Sequence, residues 1–257
     1  MNDLPNIARG FLDIFESHRL DRPGEPIGSL SIEEAYRVQQ MVIEERIRKG
    51  ERLVGYKVGC TSEAIRRQFG LTEPICGCVM APHVYHGSAL LNWSDYCQPA
   101  VEPEFVLMMG RDLRDEVGQD EPLDHAIEFV SPGIEVHNYR FWFGEPTVQE
   151  LIASNGIHAA LIVGERKVRP QDIDWDMEGV GLFKNRQLAA SGIGAEIMGG
   201  PLKSLRWLVN HLVRRGGVLK AGEVIIPGSP VQLVSVDRGD SVTARFTHVG
   251  KADAIFE

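Results

Sequence analysis

Glu102 and Glu104 stand two positions apart in QPAVEPEFVLMMG, residues 98–110, at the entrance to the apolar run from Phe105 to Met109. Side chains alternate faces along a strand, so residues i and i+2 point the same way. The pattern predicts two carboxylates on one side of a strand, at the edge of a core. A third acid, Glu135, follows in the next strand-like segment, SPGIEVHNYR. Ionised glutamates on neighbouring strands repel, and if dry and unpaired they are costly. Arg or Lys partners, or water at the strand ends, would relieve the repulsion. A hard dication would do so as well: oxygen ligands suit Mg²⁺, Mn²⁺ or Ca²⁺, and Mg²⁺ keeps positions open for water or substrate. Spacing alone does not choose between these arrangements.

The elements that carry these residues are legible in outline. Ser31 followed by Glu34 is a capping-box pattern ahead of IEEAYRVQQMVIEERIRKG, with apolar residues at helical spacing and Gly50 as a stop. A second helical segment precedes it. From Leu53 onward, short β-rich runs are separated by Gly, Pro and Asp: LVGYKVG, VEPEFVLMM, FVSPGIEVH, GIHAALIVG, MEGVGLFKN, GEVIIPGS, VQLVSV, DSVTARF and ADAIFE. Helices are expected near Thr61–Phe69, Pro122–Glu128, Thr147–Ala153 and Pro201–Arg215, the last with Leu202, Leu205, Leu208, Val209 and Leu212 as its apolar face. The expectation is an α+β fold: a helical N-terminal lobe, residues 1–52, and a β-rich body, residues 53–257.

Composition narrows the partners. The 257 residues are 43% apolar and 25% charged, enough for a sizeable core, and the formal net charge of -9 argues against nucleic acid or an anionic membrane as the main partner. No apolar window approaches a membrane span, and the N-terminal segment does not read as a signal peptide, so a cytoplasmic protein is expected. Four cysteines, Cys60, Cys76, Cys78 and Cys97, are too few and too irregular for a disulfide framework.

Six segments in register supply what spacing does not. GYKVGCTSEAIRRQFGL, VEPEFVLMMGRDL, PGIEVHNYRF, GLFKN with AASG, GGPLKSLRWLVNHL and LKAGEVIIPGS together resemble the 2-oxopent-4-enoate hydratase and 4-oxalocrotonate decarboxylase group of the fumarylacetoacetate hydrolase superfamily. The resemblance runs from about Ser31 to Phe256. It implies the superfamily's mixed β-sheet body and a homo-oligomer, with association with a homologous or pathway enzyme also open. It implies Glu102, Glu104 and Glu135 as ligands of Mg²⁺ or Mn²⁺ and Lys57 as the active-site lysine. Ser229 and Asn155 are implied to border the substrate. Gly55 and Gly59 beside Lys57 suit that role, because they permit close backbone approach while the ammonium reaches a developing negative charge.

The implied reaction is metal-dependent addition of water to a 2-hydroxypenta-2,4-dienoate-type substrate, giving a 4-hydroxy-2-oxo acid in aromatic catabolism. Decarboxylation of a 4-oxalocrotonate-type acid, acylpyruvate carbon–carbon hydrolysis, and an inactive partner subunit are the alternatives. Two positions depart from the hydratase pattern: Ile75 stands in PICG where an acid is usual, and Asn138 stands in EVHNYR where another is. A neutral amide cannot act as a base. The hydrolytic route needs a His–Glu pair, for which His137, His83 and His86 are candidates. The remaining features have plain readings. Cys76, Cys78, His83 and His86 do not match zinc spacing, Cys60 reads as a packing residue, His158 as a core or pocket-wall histidine, and GGPLKS as a helix entry.

Overall fold

Two helices open the chain, as the apolar spacing predicts: α1 (Leu4–Ser17) and α2 (Ile32–Arg48). The computed structural model describes residues 2–18, 30–140 and 146–257; Phe141, the last residue of the PGIEVHNYRF run, lies outside them. The Ser31–Glu34 capping box is formed, with Ser31 Oγ accepting from the Glu34 N–H at 3.1 Å and Glu34 Oε2 accepting from the Ser31 N–H at 2.8 Å.

The chain continues through β1 (Leu53–Gly59), α3 (Glu63–Phe69), β2 (Ile75–Met80), β3 (Val84–His86), β4 (Ala89–Leu91), β5 (Ala100–Met109), β6 (Ile127–His137), α4 (Val148–Ala153) and β7 (His158–Val163). It ends with β8 (Gly179–Lys184), β9 (Gln187–Ile193), α5 (Pro201–Arg214), β10 (Val224–Ile226), β11 (Val234–Ser235), β12 (Ser241–Phe246) and β13 (Lys251–Phe256). Among the described residues no helix is long and apolar enough to cross a membrane.

The strands form two sheets. The larger runs β2-β1-β10-β5-β6-β7-β3 with β11 added against β5, and the smaller runs β4-β13-β12-β8-β9. Three pairs are parallel, β1 with β10, β3 with β7 and β4 with β13; the other pairs are antiparallel. The sheets face one another across the main core, where the Phe105 and Phe246 rings meet edge to face at 4.9 Å. A second core gathers Phe11 and Leu12 of α1, Ala35, Val38 and Val42 of α2, Leu151 and Ile152 of α4, and Ile75 of β2. Gln39 ties these layers together, its buried amide donating to the Cys76 and Ile152 carbonyls at 2.9 and 2.8 Å.

The expected helix near Pro122–Glu128 is not there. Asp124–Ala126 makes one 3-10 turn and Ile127 already begins β6. Its apolar residues serve the strand, and their count is too small to nucleate a helix against that pairing. VQLVSV likewise contributes only the two residues of β11.

Gly55 carries a sharp steric demand. A Cβ there would lie 1.8 Å from the Val224 carbonyl oxygen on the parallel neighbour β10. Backbone cannot yield as a side chain does, so Gly55→Ala is expected to destabilise the protein by about 3 kcal/mol, the upper range for overpacking. A urea titration should show the midpoint fall with little change in slope; an unchanged midpoint would refute the close approach.

Candidate metal and acid–base site

Register places the acids. Glu102 on β5 sits directly opposite Glu135 on β6, and Glu104 sits opposite Gly133, so all three carboxylates share one face of two paired strands. Glu104 and Glu135 are buried, while Glu102 keeps part of its side chain in contact with solvent. β10 lies between β5 and β1, and Lys57 on β1, opposite Ile226, reaches the same face. Its Nζ stands 3.2 Å from Glu135 Oε1 and donates to the Gly156 carbonyl at 3.3 Å.

Three glycines make room for that side chain. A Cβ on Gly77 would come within 2.9 Å of Lys57 Cγ, and Cβ atoms on Gly156 and Gly59 would fall 3.2 and 3.3 Å from Nζ. The carbonyl that receives the ammonium belongs to an unusual turn, since Asn155, Gly156 and Ile157 have φ of 65°, 62° and 52°, all left-handed. Such conformations cost about 1 kcal/mol or more for a non-glycine residue, and side-chain bonds from Asn155 offset this. Its Oδ1 accepts from the Cys78 N–H at 2.6 Å and its Nδ2 donates to the Cys78 carbonyl at 2.8 Å. The Asn155 amide is therefore occupied by β2, and the residue reaches the pocket through the neighbouring Gly156 carbonyl.

Ser229 follows Gly228, whose N–H donates to Glu104 Oε2 at 3.0 Å. The Ser229 hydroxyl oxygen accepts from the Val231 N–H at 3.2 Å, leaving its O–H to donate. Of the six residues marked by the sequence, Glu102, Glu104, Glu135 and Lys57 share one strand face, Asn155 precedes the Gly156 whose carbonyl receives Lys57, and Ser229 follows the Gly228 whose N–H binds Glu104.

Two histidines join them. His158 Nδ1 lies 2.7 Å from Glu135 Oε1, and its Nε2 is buried without a partner. His137 Nε2 stands 3.2 Å from Glu102 Oε2 and 3.4 Å from Glu135 Oε2 without hydrogen-bond geometry to either. The i+2 rule that pairs Glu102 with Glu104 applies equally to Glu135 and His137, so the signal for His137 was present in EVH.

The electrostatics follow from burial and proximity. Burial would raise Glu135, but the His137 and Lys57 charges outweigh it and hold its carboxyl well below the usual range. Glu104 is held well above that range by burial and by the Glu135 and Glu102 charges, with Lys57 and the Gly228 N–H only partly offsetting them. Burial would lower Lys57, yet the three glutamates keep it above its ordinary value. His137 is drawn down by burial and carried up to about 9 by Glu135 and Glu102. Positive charge is thus in short supply for three acids.

Glu102, Glu135 and His137 each offer one ligand atom, and these atoms lie within 4.8 Å of one another. Carboxylates with an imidazole nitrogen, one of them without any hydrogen-bond partner, form a donor set that fits a divalent cation. The cysteines do not contribute to this group. Cys76 and Cys78 lie on β2, His83 packs edge-on against Phe15 at 5.4 Å, and burial pushes the Cys60 thiol up to about 11, away from a reactive thiolate.

No family model matches the chain. A 2-keto-4-pentenoate hydratase from Paraburkholderia phymatum is 32% identical over 222 residues, covering 86% of this chain and 85% of that one. The chain belongs to the 2-keto-4-pentenoate hydratase family. These are hydro-lyases, and the superfamily expected from the six segments agrees with the fold. The structure of 4-oxalocrotonate decarboxylase from Pseudomonas putida G7, complexed with magnesium and adipate, superposes with a TM-score of 0.91 at 26% identity, covering 99% of this chain and 97% of that one. A fumarylpyruvate hydrolase from Pseudomonas aeruginosa shares the fold at a TM-score of 0.57 and 18% identity, over 79% of this chain and 89% of that one.

Within this hydratase-family chain the two departures are structural. Ile75 is buried in the second core, and Asn138 Oδ1 accepts from the Cys97 N–H at 3.0 Å. Neither side chain is a base.

Proposed function

We propose that the protein is a divalent-metal-dependent hydratase that adds water to 2-hydroxypenta-2,4-dienoate-type acids, giving a 4-hydroxy-2-oxo acid in aromatic catabolism. The observation that carries this reading is the convergence of Glu102, Glu104 and Glu135 on one buried strand face with Lys57 beside them. In it, these three glutamates hold Mg²⁺ or Mn²⁺, residues 53–257 form the catalytic body, and residues 1–52 form a helical N-terminal lobe, whose α1 and α2 share the second core with Ile75. A cytoplasmic homo-oligomer is part of the same reading.

When bound, the dication would supply a Lewis acid for the 2-oxygen of a 2-oxo acid. The chain's own residues supply the rest. Lys57 holds a proton at Nζ, kept there by the three acids and aimed by Glu135 Oε1 and the Gly156 carbonyl; it delivers this proton, directly or through water, to the carbon skeleton and regains one from the 2-hydroxyl as the substrate ketonises. Ser229, next to the Gly228 whose N–H binds Glu104, donates its O–H to the substrate carboxylate. Asn155 keeps the Gly156 carbonyl, and with it the ammonium, in place. Lys57, Glu104 and Glu135 are buried away from bulk water, which strengthens the interactions among them.

A second reading is favoured by Ile75 and Asn138. With no proton-accepting group at either place, decarboxylation of a 4-oxalocrotonate-type acid, which needs the same stabilised enolate but no activated water, becomes the alternative. The test gives the purified full chain Mg²⁺ or Mn²⁺ and 2-hydroxypenta-2,4-dienoate, following loss of dienoate absorbance, and in parallel 4-oxalocrotonate, following CO₂. Dienoate consumption with formation of the 4-hydroxy-2-oxo acid supports hydration, whereas CO₂ release with the dienoate untouched assigns decarboxylation. Consumption of neither by the protein alone, recovered on adding a relative, marks a silent partner subunit.

A further inference from the structure

His137 has no place in the acid–base scheme above, yet it is buried to 3% exposure in the middle of the acids. We infer that its Nε2 is an additional ligand of the resident dication, making the site a mixed nitrogen and oxygen centre that selects Mn²⁺ or a later first-row ion over Mg²⁺. This rests on the metal-dependent reading and sharpens it.

The geometry argues for a shared ion. Two donors each about 2.1 Å from one octahedral ion and at right angles to one another stand about 3 Å apart. His137 Nε2 lies 3.2 Å from Glu102 Oε2 and 3.4 Å from Glu135 Oε2, close to that separation from both at once. An N–H donor would turn toward one of the oxygens, but neither contact has hydrogen-bond geometry, and a buried imidazole nitrogen without a partner is rare in folded proteins. The ring is buried and its backbone is fixed, because β6 is paired on both sides, with His137 opposite Ala100 on β5 and His158 on β7.

A water-activating His–Glu pair is the competing assignment. A general base of that kind has its second ring nitrogen oriented by another group, and His137 Nδ1 has no partner either. The carboxylates are the groups it faces. A ligand at position 137 would set this chain's donor set apart from three carboxylates alone. Imidazole favours borderline first-row ions, whereas Mg²⁺ prefers oxygen.

The decisive measurement needs no variant. Mn²⁺ is added to the full-length protein, and pulsed electron paramagnetic resonance is used to look for hyperfine coupling to a directly bound nitrogen. Isothermal titration of Mn²⁺ and of Mg²⁺ accompanies it, on the wild type and on His137→Val and His137→Gln. The expected result is nitrogen coupling in the wild type and Mn²⁺ affinity at least about tenfold above Mg²⁺ affinity. Both variants should lose the coupling and about tenfold or more in Mn²⁺ affinity, with Mg²⁺ affinity changed less than about threefold. Mn²⁺ that binds the wild type without nitrogen coupling, and is lost in Glu104→Gln, overturns the histidine ligand while leaving the glutamate site standing. Mn²⁺ that fails to bind the wild type at millimolar concentration overturns both.

Discussion

Glu104→Gln is expected to leave a folded protein whose turnover no metal concentration restores, with kcat/KM reduced about a hundred- to a thousandfold, the loss typical of removing a group that stabilises developing charge. Glu104 is 1% exposed, and its carboxylate accepts a hydrogen bond from the Gly228 N–H. The amide oxygen of Gln accepts that bond in the same place, so the loop bearing Ser229 keeps its anchor. What changes is charge. Burial and the Glu135 and Glu102 carboxylates already oppose ionisation of Glu104, so an uncharged isostere relieves repulsion when no dication is bound. Thermal unfolding without metal should therefore occur at an unchanged or higher temperature than in the wild type. The wild type should gain stability on adding Mn²⁺ or Mg²⁺, about 2.7 kcal/mol at a hundredfold excess over Kd, and the variant should gain almost none. Loss of activity with an intact metal-induced shift would show that Glu104 is not a ligand. Loss of the fold would show that its carboxylate is structural.

The acids were legible because their pattern is local: period two along β5, an apolar run behind it, and a third glutamate in the next run. The capping box of α2 and the apolar face of α5 were legible for the same reason. What escaped depends on contacts far apart in sequence. ICGCVM forms β2, but its Cys and Gly residues give no alternation, so it reads as loop until β1 pairs with it. QLAASGI forms β9 at the edge of the smaller sheet, where small and exposed residues carry no hydrophobic signal. The turn at Asn155–Ile157 runs against propensity, since it holds a β-branched residue at φ 52°, whose carbonyl accepts from the distant Asn138 N–H at 2.9 Å. The resemblance implies Asn155 at the border of the substrate; the partner that its amide binds, the Cys78 backbone, is 77 positions away and has no local signature. The Lys57–Gly156 contact spans 99 positions and has no local signature at all.

Lys57→Met should separate proton movement from metal binding. Met has a straight side chain that fits the channel between Gly59, Gly77 and Gly156, so the substitution removes the ammonium with little change in volume. Turnover should fall by about a hundred- to ten-thousandfold, the range for loss of a positioned proton donor. Metal affinity should hold or rise, because Nζ no longer competes for Glu135 Oε1, which it faces at 3.2 Å. Without metal the variant should be less stable by about 3 kcal/mol, since buried carboxylates lose a positive neighbour, and saturating Mn²⁺ should return much of that difference. The signature is thus opposite to that of Glu104→Gln: destabilised without the ion, rescued by it, and slow in kcat. Parallel loss of metal binding in both variants would place Lys57 among the groups that build the site, and near-wild-type kcat would remove it from the reaction. Because His158 and His137 still face Glu135 in the variant, the acid remains oriented, and the fall in kcat reports the missing ammonium.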